Sequence, residues 1–158
     1  MTIEGLHDDF RDLLVHFADA RVEFVIIGAY ALAFHGVTRA SGDIDLFVRP
    51  VPENAERVFA ALVRFGAPLE AAGISAADFA RPALVYQIGL PPRRIDVLTE
   101  ISGVSFDEVW ESRLTVDVEG RSIGFIGRTA LLKNKRAAGR PQDIVDAARL
   151  ERIPPRKF

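Results

Sequence analysis

The segment 24–49 constrains the fold of this chain more than any other part of the sequence. Its first four residues, Phe24 to Ile27, are apolar and strand-prone, and Gly28 interrupts them. A helix of small residues is predicted over 29–34, and a polar turn then leads into a second strand over 43–48. We therefore expect an α/β (α+β) fold with a mixed β-sheet, organised around these elements.

Two aspartates on the second strand form the first candidate site. Side chains alternate between the two faces of a strand, so Asp43 and Asp45 share one face while Ile44 and Leu46 occupy the other. Adjacent carboxylates repel each other unless a cation lies between them. Mg²⁺, or Mn²⁺ in its place, suits this role because it takes oxygen ligands and completes its shell with substrate phosphates. The pair predicts a divalent metal site.

Gly28 and Ala29 form the second candidate site, at the end of the first strand. A strand that turns at a glycine into a helix aims free backbone N–H groups and the helix dipole at one point, which favours phosphate. The same short segment therefore predicts a phosphate cradle and a metal clamp.

This pattern resembles the signature of the nucleotidyltransferase (DNA polymerase β-like) superfamily. Gly28-Ala29 stand for its Gly-Gly or Gly-Ser step, and Asp43 and Asp45 for its metal-binding pair. The run Ala-Phe-His-Gly-Val-Thr-Arg-Ala-Ser-Gly-Asp-Ile-Asp-Leu is similar to small bacterial nucleotidyltransferase-like proteins grouped with toxins of the AbiE (AbiEii) type. Ala29 departs from the pattern, since a serine or a second glycine is usual there. The resemblance implies a nucleotidyltransferase fold, with helices mainly on one face of the sheet and further helices at the C-terminus.

Asp96 is the candidate third carboxylate. It interrupts an apolar strand predicted over 95–98, where an isolated charge is costly unless it is paired or bound to metal. The resemblance implies a carboxylate on a neighbouring strand that acts as general base or metal ligand, and Asp96 matches it. The alternative is an edge-strand aspartate paired with Arg93 or Arg94.

The C-terminal region contains the one basic concentration of the sequence. By resemblance, Lys133 and Arg140 match a nucleotide-binding lysine and arginine, and Asp143 matches a following acidic position, with Asp146 one turn beyond. Lys135 is a rival for the lysine role. Taken alone, these residues are typical of a solvated helix face, and Arg140 and Asp143 could instead form a structural ion pair.

Three residues near the second strand are weaker candidates. Arg39 lies in the loop before that strand, where it is either a solvated charge or a guanidinium that binds a triphosphate. His35 either interacts with the last carbonyls of its helix or supports the site or substrate. Ser41 is a candidate supporting residue behind the aspartates.

The remaining elements follow from hydrophobic periodicity and turn residues. Further helices are predicted over 2–20, 52–65, 105–113, from 129, and over 144–150, and hairpins over 84–98 and 114–126. The segment 67–80 has no clear periodicity.

Bulk properties narrow the functional classes. A chain of 158 residues predicts a single domain over 1–158, with a core in 1–100 and a C-terminal hairpin and helices in 101–158. The absence of cysteine excludes disulfides, thiolate zinc sites and cysteine nucleophiles. No signal peptide or membrane-spanning run is visible, so we expect a cytoplasmic protein without membrane contact.

The resemblance implies a Mg²⁺-dependent nucleotidyltransferase that uses an NTP. The acceptor hydroxyl is left open among RNA (in particular a tRNA end), a protein and a small molecule. As part of a toxin–antitoxin pair the protein would be the toxin, with a cognate antitoxin as its partner; the alternative partner is a second copy of the chain. One alternative, suggested by Ala29, is an inactive relative that binds a nucleotide or a partner. A purely structural role of the carboxylates is the other.

Overall fold

The computed structural model describes residues 6–38 and 42–155. Within these ranges the chain forms six α-helices, a 3₁₀ helix and six strands. They are α1 (Asp8–Asp19), β1 (Phe24–Ile27), α2 (Gly28–Phe34), β2 (Asp43–Val48), α3 (Pro52–Phe65), the 3₁₀ helix (Ala76–Ala80), β3 (Val85–Ile88), β4 (Arg94–Leu98), α4 (Phe106–Ser112), β5 (Leu114–Val118), β6 (Arg121–Phe125), α5 (Arg128–Ala138) and α6 (Pro141–Arg152).

The six strands form one mixed sheet in the order β3-β4-β2-β1-β6-β5. The pairs β1–β2, β3–β4 and β5–β6 are antiparallel, whereas β2–β4 and β1–β6 are parallel. The predicted α/β class with a mixed sheet is therefore confirmed. β4 lies between β3 and β2, so the alternative that placed Asp96 on an edge strand is wrong.

One face of the sheet is apolar and carries the first three helices. Phe17 of α1 packs edge-on against Phe24 of β1, with ring centroids 5.2 Å apart. Phe34 of α2 stacks on Phe125 of β6 at 4.5 Å. Helix α3 contacts α1, so these helices together bury Ile26 and the other side chains of this face. This burial is the main source of fold stability.

The opposite face divides into an apolar part and a polar part. Phe47 lies on this face and packs against Phe106 of α4, with ring centroids 5.1 Å apart. Asp43 and Asp45 precede Phe47 at alternate positions of β2, so they share its face. Helix α4 covers this face only at the end of β2 that contains Phe47, so the aspartates lie beside an open cleft.

Most boundaries follow local signals. Helix α3 spans the predicted residues, from Pro52 to Phe65, and Gly66 caps it with a φ of 92° in the left-handed region. Helix α1 begins at Asp8 because the His7 side chain accepts a hydrogen bond from the backbone N–H of Asp9. No helix among the described residues is long and apolar enough to cross a membrane.

Candidate active site

Three carboxylates meet on the polar face of the sheet. β2 and β4 pair in parallel with Asp45 opposite Asp96, while Asp43 lies opposite Arg94. Register partners on adjacent strands present their side chains on the same face. One carboxylate oxygen from each of Asp43, Asp45 and Asp96 lies within 4.8 Å of the others. The structure thus brings Asp96, which is distant in the sequence, next to Asp43 and Asp45.

The geometry of these acids fits a small divalent cation. The donors are all carboxylate oxygens, which are the protein ligands that Mg²⁺ and Mn²⁺ prefer. Around an octahedral ion with bonds of about 2.1 Å, two ligand oxygens lie roughly 3 to 4 Å apart. The carboxylate oxygens lie within 4.8 Å of one another, which is close to this range. Asp43, Asp45 and Asp96 are therefore the residues that would hold the ion.

The surroundings of the Asp45 carboxylate change its pKa. Burial raises the pKa of Asp45 to about 7, and the Asp96 and Asp43 carboxylates and a hydrogen bond with Asp96 act in the same direction. Lys135 of α5 acts in the opposite direction. The ionised form of Asp45 is thus disfavoured by its surroundings, and a cation at this point would restore it.

Gly28 allows Asp45 to lie directly against the turn between β1 and α2. Gly28 has a φ of 69°, in the left-handed region that glycine tolerates. A Cβ atom at this position would lie 2.2 Å from Oδ2 of Asp45. Gly28 and Ala29, the predicted phosphate cradle, both line the cleft beside the acids.

Arg94 is a site residue that local sequence patterns alone do not place in the site. Its guanidinium Nη2 donates to Oδ2 of Asp43 at 2.8 Å, and Nε donates to Oδ1 of Asp96 at 2.9 Å. The sequence contained a signal for this position, because Arg94 and Asp96 are two residues apart on a strand and so share a face. The ion pair proposed as the alternative for Asp96 therefore exists, within the acid cluster.

The acids lie in a cleft of about 590 Å³, whose second wall comes from the C-terminal helices. Lys135 and Asn134 of α5 line this wall, together with Arg140 and Asp143 at the start of α6. Gln87 and Leu98 contribute from the sheet. The cleft therefore places basic groups opposite a carboxylate cluster.

The structure distinguishes the two candidate lysines by their burial. The Lys135 side chain is 7% exposed, and its Nζ lies 3.2 Å from Oδ1 of Asp143 and 3.3 Å from Oδ2 of Asp146. Lys133 is 55% exposed and pairs with Glu108 of α4 at 2.9 Å. Helical spacing turns residues two positions apart to different sides. Of the pair, Lys135 is the one that lines the cleft.

Arg140 and Asp143 form the ion pair considered in the sequence analysis. Arg140 Nε donates to Oδ2 of Asp143 at 2.6 Å, and the Arg140 backbone N–H donates to the same oxygen at 3.2 Å. Burial raises the pKa of Asp143, but hydrogen bonds from Arg140 and Lys135 outweigh it and hold the pKa below its ordinary value. The Arg140 side chain is 76% exposed, so its guanidinium remains accessible from the cleft.

The other predicted residues have different outcomes. His35 is 3% exposed, and its Nε2 donates to the Ile126 carbonyl at 2.8 Å, which supports a structural role joining α2 to the end of β6. Arg39 and Ser41 lie outside the described residues.

Comparisons with known proteins address the fold. No protein-family model matches the chain, and no curated protein matches it by sequence. A candidate nucleotidyltransferase from Thermotoga maritima has a similar structure, with a TM-score of 0.55 and 14% identity, covering 90% of this chain and 88% of that one. An antigenic nucleotidyltransferase-like protein from Paracoccidioides brasiliensis matches with a TM-score of 0.45 and 15% identity, covering 92% of this chain and 77% of that one. The Thermotoga similarity identifies the fold as a nucleotidyltransferase fold.

Proposed function

We propose that this chain is a divalent-cation-dependent nucleotidyltransferase, which moves a nucleotidyl group from an NTP to an acceptor hydroxyl. The observation that carries the proposal is the meeting of Asp43, Asp45 and Asp96 in one cleft of a nucleotidyltransferase fold. Three buried or half-buried carboxylates this close together are costly to folding unless cations neutralise them, and such clusters are common at functional sites.

Each cleft residue has a defined part in this reaction. Asp43 and Asp45, together with Asp96, would bind Mg²⁺ or Mn²⁺, which when present neutralises phosphate charge. Arg140 would donate hydrogen bonds to the phosphates, because its guanidinium is exposed at the cleft wall. Gly28 and Ala29 would let the triphosphate approach the backbone beside the acids.

Asp96 would act on the acceptor. Its carboxylate would take the proton from the attacking hydroxyl, whose oxygen forms a bond to the α-phosphorus as the bond to the β-phosphate oxygen breaks. Pyrophosphate leaves with the electron pair of that bond. Lys135 forms ion pairs with Asp143 and Asp146. Its role would therefore be to hold α5 and α6 together as the wall of the cleft.

The acceptor class is part of the proposal. RNA, in particular a tRNA end, a protein hydroxyl or a small molecule would each fit the reaction. A toxin modifying RNA or protein, controlled by a cognate antitoxin, is the biological setting that the sequence resemblance favours.

One labelling experiment tests this function. The protein is incubated with Mg²⁺, each of four α-labelled NTPs, and total RNA or cell lysate, and the labelled product is located. We expect label on one acceptor class with the wild type and none with Asp96→Asn, which should still bind NTP. Label transfer that persists in Asp96→Asn would contradict the assignment of the base.

Ala29 favours a second candidate function, a nucleotide- or partner-binding module without catalysis. It replaces the serine or second glycine typical of the family, while still lining the cleft. Metal-dependent NTP binding by calorimetry without pyrophosphate release would support this second candidate.

A further inference from the structure

The guanidinium of Arg94 donates hydrogen bonds to two of the three carboxylates, Asp43 and Asp96. Besides its contacts with Asp43 and with Oδ1 of Asp96, its Nη2 donates to Oδ2 of Asp96 at 3.2 Å. Both oxygens of Asp96 and one of Asp43 thus accept hydrogen bonds from Arg94. Arg94 therefore engages both possible ligand oxygens of Asp96 and one of the two possible ligand oxygens of Asp43.

The register of the sheet creates this arrangement. Arg94 is the direct partner of Asp43 across the β2–β4 pair, and it precedes Asp96 by two positions on the same face of β4. A planar guanidinium in this position reaches both neighbours with its fork of N–H donors. The contact is therefore a property of the strand pairing.

A dication and this guanidinium compete for the same carboxylates. An oxygen that accepts a short N–H hydrogen bond has less capacity to coordinate an ion, and two positive charges a few ångströms apart repel each other. The Arg94 side chain is 28% exposed and lines the cleft, so part of it already faces solvent, the direction in which it would withdraw.

We propose that Arg94 is a built-in counter-ion of the acid cluster, which pairs with Asp43 and Asp96 and must withdraw before a divalent cation binds all three acids. This inference rests on the proposed function, because it assumes that the cluster binds a cation. Arg94 is then a positioning residue that sets the affinity of the site for the cation. Replacing it is expected to change that affinity in the opposite direction from the replacement of a metal ligand. Loss of a site residue should strengthen metal binding.

The test is a calorimetric titration of the wild type and of Arg94→Gln with Mn²⁺ alone. We expect the Kd for Mn²⁺ to fall at least about tenfold in Arg94→Gln, because a full charge in contact with the ligands is removed. Arg93→Gln is the matched control, since Arg93 is exposed in the preceding turn and its loss changes the net charge equally. For this control we expect about a twofold change or less, because solvent and salt screen an exposed charge.

Arg94→Lys and thermal unfolding provide a second measurement that does not depend on Arg94→Gln being fully stable. Lysine keeps the charge but lacks the fork, so we expect a Kd between those of the wild type and Arg94→Gln. Mn²⁺ should raise the Tm of Arg94→Gln more than that of the wild type.

The outcomes separate the two proposals. If the wild type binds Mn²⁺ and Arg94→Gln binds it equally or more weakly, the counter-ion role is wrong while the metal site stands. If neither protein binds Mn²⁺, the proposed function fails, and the inference fails with it. Binding by Arg94→Gln but not by the wild type would support the counter-ion role in its strongest form.

Discussion

Gly28 and Asp45 lie so close together that a methyl group on Gly28 would fall 2.2 Å from Oδ2 of Asp45. We therefore expect Gly28→Ala to displace the Asp45 carboxylate and to weaken Mn²⁺ binding by at least about tenfold, because a small ion tolerates little change in ligand position. Alanine at a φ of 69° also costs about 1 kcal/mol of folding stability. Calorimetry with Mn²⁺ and denaturant unfolding measure the two effects.

Gly120→Ala separates the backbone effect from the collision. Gly120 has a φ of 81°, and a Cβ there would meet no atom within 4 Å. This variant should lose a similar amount of stability and retain wild-type Mn²⁺ affinity. An equal loss of affinity in both variants would show that Gly28 does not act through Asp45.

Asp43→Asn and Asp45→Asn should each abolish divalent-cation binding and leave the fold intact. Asparagine has nearly the shape of aspartate but lacks the charge that a hard cation requires. Circular dichroism reports the fold and calorimetry the binding. Asp12→Asn, on the exposed side of α1, changes the net charge equally and should bind as the wild type does. Unchanged affinity in Asp43→Asn and Asp45→Asn would exclude these carboxylates as metal ligands.

Lys135→Met should destabilise the protein far more than Lys133→Met. Removing Lys135 leaves Asp143 and Asp146 buried without their shared cation, and breaking a buried pair costs about 3–5 kcal/mol. Lys133 is exposed, so its pair with Glu108 contributes less than about 1 kcal/mol. Urea unfolding compares the free energies of unfolding. Comparable losses in the two variants would contradict the structural role assigned to Lys135.

The stability of the metal-free protein should fall as the pH rises from about 4 to about 7. The pKa of Asp45 is raised to about 7 in the folded protein, against an ordinary value of 3.8. The folded state therefore binds more protons than the unfolded state in this window, and the free energy of unfolding declines as Asp45 ionises. We expect a decline on the order of a few kcal/mol, measured by urea unfolding in EDTA.

Two controls isolate Asp45 in that experiment. Asp45→Asn has no such carboxyl, so its stability should change less between these pH values. Saturating Mg²⁺ should reduce the decline in the wild type, because a bound cation favours the ionised form. A wild-type curve that matches that of Asp45→Asn would show that the pKa of Asp45 is not raised.

Local sequence patterns determined most of the helices and strands, and they placed two of the three site carboxylates on one face of a strand. Apolar periodicity and Gly66 were sufficient for α3, and the alternation of Asp43 and Asp45 placed both acids on one face, since these effects act within a few residues. The segment that contains the 3₁₀ helix shows no pattern from which a helix can be predicted, because short helices lack a periodic apolar face.

The rest of the site was decided by tertiary structure. Parallel pairing of β2 with β4 brings Asp96 beside Asp45 and turns Arg94 onto Asp43, and no local pattern specifies which strands pair across such a separation. Packing of α5 on α6 likewise decided that Lys135, and not Lys133, is buried against Asp143 and Asp146. The sequence by itself determined which residues are acidic, basic or helical, because propensity and periodicity are local. Only the tertiary structure determined which of those charges meet, because burial and strand register depend on the whole chain.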